Sequence, residues 1–188
     1  MKNTIYRVVV ISLILITITL QNSNAQGKYI DRSGKIQFEA SEALFEEVKA
    51  SNESVTSVLD TKTGQIAALA LIKGFHFKNS LMEEHFNENY IESGMYPKAT
   101  FKGQFSDLDL ALLDENTKKA AMEGTLKLHG KEKEVRTQIS IQKVGDIISM
   151  TGEFVVTPGD FDIHIPKIVQ NKIAKEVLVK FDFKLIKK

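Results

Sequence analysis

The sequence of 188 residues has no cysteine, no tryptophan and only three prolines. Without cysteine the chain forms no disulfide, uses no thiol nucleophile, ligates no iron–sulfur cluster and carries no lipid through sulfur. A basic excess is also missing, with 25 lysines and arginines against 24 acidic residues. Phosphates would find little to neutralise them, so nucleic acid is not an expected partner. The eleven glycines are scattered, which leaves no phosphate-cradling loop, dinucleotide fingerprint or nucleophile elbow. The apolar run Val8 to Leu20 is thirteen residues long, short of the roughly 20 a membrane span needs. It follows Lys2 and Arg7 and precedes Ser23-Asn24-Ala25, the pattern of a secretory signal peptide cut after Ala25. The expectation is therefore an exported domain over residues 26–188, with no stable membrane span once the leader is removed. Without Lys2 and Arg7 the formal net charge falls from +1 to −1.

What the remaining chain does contain is alternation. In "KATFKGQF", Ala99, Phe101 and Phe105 share one side while Lys98, Thr100, Lys102 and Gln104 share the other. The same two-residue period runs through "AMEGTLKL", "EVRTQISI", "IISMTGEFVV" and "EVLVKFDFKL", with further strands expected at Lys35 to Ala40, Val55 to Leu59 and Gln65 to Phe77. Asp60 to Gly64, His129-Gly130-Lys131 and Val144-Gly145-Asp146 supply the residues of tight reversals. This pattern reads as an all-β single domain of about eight antiparallel strands, closed as a barrel or folded as a sandwich rather than left with bare edges. Two segments break the period. Glu42 to Ala50 suits a short helix or an irregular turn with Leu44, Phe45 and Val48 inward. Ser80 to Tyr90 suits a helix capped by Ser80 with Glu83, carrying Met82, Phe86 and Tyr90 on one edge.

That helix holds His85 among glutamates, yet no spacing of a metalloprotease, histidine-rich or calcium-loop kind surrounds it. The expectation is a locally hydrogen-bonded histidine, no metal, no cofactor and no catalytic residue. The rival reading is an enzyme acting on a lipid-like substrate through His85 or His164 and a nearby carboxylate, and a third is a ligand-free envelope interaction module with a filled interior. Gly103, Gly124 and Gly152 all fall on apolar strand faces. Each suits a bulge or a barrel corner, and three together suggest space left inside. A barrel of about eight strands sits at the size where the interior is filled or holds one small ligand.

The stretches "LMEEHFNENYIESGMYPKATFKGQF", "EGTLKLHGKEKEV" and "GEFVVTPGDFDIHIP" together resemble the YceI-like family of exported, lipocalin-like lipid-binding proteins. His85-Phe86, Tyr96-Pro97 with Thr100-Phe101, and Gly124 to Gly130 carry the likeness most specifically. It implies a lipocalin-like antiparallel barrel with one or two short helices closing an end. It also implies an elongated apolar cavity for a polyisoprenoid, quinone or similar lipid, a periplasmic location, and homodimerisation. Where many members have an arginine-serine-aspartate-phenylalanine run, this chain has Thr157 to Phe161, so a polar contact to a ligand head group is not expected there. The inward residues expected to line the cavity are Phe101, Phe105, Leu126, Ile139, Met150, Phe154, Val179 and Phe181. Met82 and Phe86 are expected at its mouth, and Gly103, Gly124 and Gly152 are expected to leave it room.

Overall fold

The computed structural model describes residues 27–42 and 44–188; the expected signal peptide lies outside them. Among the described residues nine strands follow in order: β1 (Lys28–Ser41), β2 (Lys49–Asp60), β3 (Gln65–Leu71), β4 (His76–Phe77), β5 (Lys98–Phe105), β6 (Lys118–Leu128), β7 (Lys131–Val144), β8 (Ile147–Val156) and β9 (Ile173–Lys187). All pairings are antiparallel. Each long strand pairs with the next, β1 closes on β9, and the two-residue β4 rests on the start of β2. The result is a closed barrel of eight strands, lipocalin-like as expected. Closure removes the unpaired edges that strands of this length would otherwise expose. No helix among the described residues is long and apolar enough to cross a membrane.

The turns follow from local chemistry. At β2–β3 the Asp60 carboxylate accepts from the N–H groups of Lys62 and Thr63, and Gly64 takes the positive φ that ends the reversal. At β6–β7 and β7–β8 two residues suffice, with Gly130 and Gly145 at φ of 74° and 57°. The β2–β3, β5–β6 and β7–β8 connections share one end of the barrel, the closed end. There Leu110 and Leu113 of the β5–β6 connection join a cluster with Leu59, Ile141, Met150 and Leu185.

The other end carries the longer connections. Between β3 and β5 lies α1 (Ser80–His85), extended by a wider turn over Phe86–Tyr90. Its cap is Asn79 rather than Ser80. The Asn79 Oδ1 accepts from the N–H groups of Leu81 and Met82, while Glu83 turns back to accept from the Phe77 N–H. Asparagine caps as well as serine, and here it is the last residue with extended backbone. The segment expected as Glu42 to Ala50 is an irregular turn that gives way to β2 at Lys49, and Leu44, expected inward, is fully exposed. The expected strand Gln65 to Phe77 stops at Leu71, where a single helical turn, Ile72–Gly74, interrupts it.

Candidate ligand-binding cavity

A cavity of about 440 Å³ occupies the open half of the barrel. Its walls are the inward side chains of the strand ends: Ile36 and Phe38 on β1, Ala99 on β5, Leu126 on β6, Phe154 on β8 and Val179 on β9. Three connections roof it: Phe45 and Val48 from β1–β2, Met82, Phe86 and Tyr90 from α1 and its extension, and Phe161, Ile163 and Val169 from β8–β9. Glu46, His85, Tyr90 and Lys172 are the polar residues on the lining, and Glu46, His85 and Lys172 are exposed. Hydrocarbon therefore lines the interior, and charge is confined to the mouth.

The roof is held by two sets of contacts. Phe86 packs at 5.3 Å between centroids on both Phe38 and Phe77, and Phe38 reaches Phe75 at 5.5 Å. These ring pairs, each worth about 0.5–1.5 kcal/mol beyond burial, fasten α1 to the barrel wall. The β1–β2 turn is tied to the same helix by Lys78 to Glu47 at 2.7 Å and by Asn79 donating to Glu46 at 3.1 Å. The Lys78 ammonium, through its hydrogen bond and charge, holds the Glu47 carboxyl below the usual range.

On the far side, His129 joins three connections. Its Nδ1 lies 2.8 Å from the Phe161 carbonyl oxygen and its Nε2 2.9 Å from a Glu92 carboxylate oxygen, so each nitrogen faces an acceptor. The Tyr96 ring covers it at 4.3 Å, and Lys131 meets Asp162 at 2.7 Å beside it. Lys131, again by hydrogen bond before charge, holds the Asp162 carboxyl below its ordinary value. Glu92, His129 and Asp162 are the three non-glycine residues at positive φ among those described, at 48°, 49° and 56°. Such backbone costs on the order of 1 kcal/mol each, and the contacts at this junction hold it in place.

Of the residues expected from alternation, Leu126, Phe154, Val179, Met82 and Phe86 border the cavity. Phe101, Phe105, Ile139, Met150 and Phe181 do not; they belong to or pack against the filled core nearer the closed end. Alternation fixes which face a side chain takes but not its height along the barrel axis. The three glycines leave no void. A Cβ at Gly103 would lie 2.7 Å from the Phe101 ring, one at Gly124 equally close to that ring and against the Lys102 carbonyl oxygen, and one at Gly152 2.6 Å from the Phe181 ring. Each glycine seats an aromatic ring. The wall residues Ile36 and Phe38 and the whole β8–β9 roof were not anticipated, although Phe161, Ile163 and Ile165 alternate in "FDIHI". His85 sits exposed at the mouth and His164 is exposed on the roof loop. The histidines that meet carboxylates are His76, with Glu83 at 3.2 Å, and His129. Among the described residues no three histidine, aspartate or glutamate side chains gather as a metal site.

Comparison with known proteins places this geometry. No curated protein matches the chain. Among solved structures, a polyisoprenoid binding domain from Saccharophagus degradans, implicated in plant cell wall breakdown, superposes with a TM-score of 0.75 at 15% identity, covering 86% of this chain and 99% of that one. BcnA from Burkholderia cenocepacia gives 0.67 at 15% identity, over 80% and 95% of the two chains. The YCEI protein of Campylobacter jejuni gives 0.63 at 16%, over 78% and 89%. At such identities these likenesses establish the shared barrel. The model of the YceI-like domain matches residues 22–185, nearly the whole sequence, and the chain belongs to the YceI-like family.

Proposed function

We propose that the protein binds one long apolar molecule, its chain inside the barrel and its polar end at the mouth. The observation that carries this reading is a hydrocarbon-walled space of about 440 Å³ whose acidic and basic residues, Glu46, His85 and Lys172, all lie at its exposed rim. A methylene takes up about as much room as a water molecule in the liquid, ~30 Å³, so the space accommodates about fifteen carbons. At about 0.8 kcal/mol for each methylene buried, such a chain gains about 12 kcal/mol gross, against an association cost on the order of 4–15 kcal/mol. Short chains therefore bind feebly and chains that fill the cavity bind well.

The ligand classes that fit are a polyisoprenoid, a quinone or a similar lipid, and the first of these is the ligand class named for the Saccharophagus domain. The leader-like residues 1–25 support an exported, periplasmic protein that stores, carries or senses such a molecule across an aqueous compartment. Mass spectrometry of an organic extract of the exported protein tests the reading. A stoichiometric isoprenoid or acyl lipid is expected, and a clean extract from a lipid-replete host would overturn it.

A further inference from the structure

The cavity wall stops abruptly along four strands. Its last lining residues are Ala99 on β5, Leu126 on β6, Phe154 on β8 and Val179 on β9. Two residues further toward the closed end, on the same faces, stand Phe101, Gly124, Gly152 and Phe181, and none of these borders the cavity. The two glycines and two phenylalanines form one layer. The Phe101 ring occupies the place where side chains of Gly103 and Gly124 would stand, and the Phe181 ring occupies that of Gly152. Phe181 also stacks on Phe183 at 5.3 Å, and the Phe183 ring in turn fills the space over Gly34. Phe101 packs both on the core of the closed end and on the cluster of Leu126, Val135 and Phe161, so it separates filled interior from empty.

We infer that Phe101 and Phe181 are a chain-length gauge: their rings, laid over Gly103, Gly124 and Gly152, form the layer directly behind the last lining residues and stop an apolar chain at about fifteen carbons. A longer ligand leaves its remainder outside the mouth. The inference rests on the ligand-binding reading above and adds what sets the size of the buried part. The glycines matter because any side chain at those positions forces the rings upward, and a residue smaller than phenylalanine at 101 or 181 opens that layer into the closed half.

The test loads the delipidated mature protein with saturated fatty acids from about 8 to about 24 carbons and reads occupancy by native mass spectrometry. Affinity rises about fourfold for each added carbon, the ratio equivalent to 0.8 kcal/mol per methylene, and levels off near fifteen. Phe181→Ala moves the plateau about four carbons longer. Because that truncation risks the fold, Phe181→Leu and Phe101→Leu serve as milder variants, with an expected shift of about one carbon each at ~30 Å³ per carbon. A rise that continues through the longest acids, or a plateau unmoved in folded leucine variants, overturns the gauge and leaves binding intact. No bound acid of any length sinks the binding reading itself.

Discussion

Leu59, Ile141, Met150 and Leu185 at the closed end belong to one packed cluster with no exposed surface. Ile36, Phe154 and Val179, one or two turns of the same ladder further along, face a space large enough for a guest. The strands, their alternation and the kinds of side chain are alike in the two halves. They differ in what crosses the end. Short turns and the Leu110–Leu113 plug let the closed half collapse onto itself, whereas the open half is roofed by three connections, and the aromatic residues of one of them, Phe75, Phe77 and Phe86, are spent on one another and on Phe38 of the wall. A barrel wall decides what faces inward; its end connections decide whether the inside is full.

That difference has a direct energetic signature. Leu59→Ala, in the packed half, is expected to cost about 3 kcal/mol, within the usual 2–5 for a buried leucine. Val179→Ala, whose side chain already faces open space, should cost about 1 kcal/mol, since few contacts are lost to a cavity that exists beforehand. Urea denaturation measures both, and equal costs would mean the halves are not differently packed. Next in size comes Gly124→Ala. It faces the layer between the halves, where a methyl group meets the Phe101 ring and the Lys102 carbonyl oxygen, and it should cost about 2 kcal/mol, within the range for overpacking. Bulk at Gly124 therefore damages folding even in a barrel that is partly hollow, and does not separate a binding protein from a filled module. Bulk at Ala99 does: Ala99→Leu should leave the urea midpoint nearly unchanged and lower affinity for a C16 acid about tenfold or more.

These contrasts also mark how far the residue pattern reads. Period-two alternation and turn chemistry locate β5 and β8 to the residue, because Lys98–Phe105 and Ile147–Val156 each have one greasy face and clear punctuation. The barrel itself follows from eight such strands needing partners. Height within the barrel was not legible. Phe101 and Phe154 look equivalent in alternation, yet only Phe154 reaches the cavity, since strand tilt and stagger place residues of different strands at different levels. Glycine was ambiguous for a related reason: a missing side chain is either room for a guest or a seat for a neighbouring ring, and the ring that takes the seat at Gly152 comes from another strand. His129 was legible only as a turn residue before Gly130. Its partners Glu92 and Phe161 lie 37 and 32 positions away, beyond any local pattern.

The His129 junction sharpens the comparison at the scale of a single connection. His129→Asn keeps a side chain that tolerates positive φ but does not bridge Glu92 to the Phe161 carbonyl. Leaving a buried acceptor unsatisfied costs about 1–3 kcal/mol, and the loss should fall on the roof. Hydrogen exchange is expected to quicken in 86–96 and 157–172 while the strand amides of β7 and the lower part of β9 keep their protection. Uniform loosening of the barrel would show that roof and closed half unfold as one.

Acid should produce the smallest effect and the most selective one. The Asp162–Lys131 and Glu47–Lys78 pairs tie roof segments together, and in each the lysine holds the carboxyl below its ordinary range. A depressed value in the folded state means that the tie is complete above the ordinary carboxylate range and is lost as pH falls through that range and below it, while the lysines stay charged. At the closed end the corresponding carboxyl, Asp114, is held down first by the backbone N–H of Asn116, a contact inside one turn that ties no two elements. Acidification should therefore hasten ligand release before it weakens the closed half. Both roof pairs are exposed, so screening limits them, and about 1 M salt, where the Debye length is about 3 Å, should flatten the response. The release rate of a bound fatty acid, followed from neutral to acid pH at low and high salt, measures this. A double variant, Lys78→Met with Lys131→Met, should release at neutral pH as the wild type does in acid and should respond little to either variable. If instead its release stays slow and acid-dependent, the roof is held by its aromatic contacts and His129 alone.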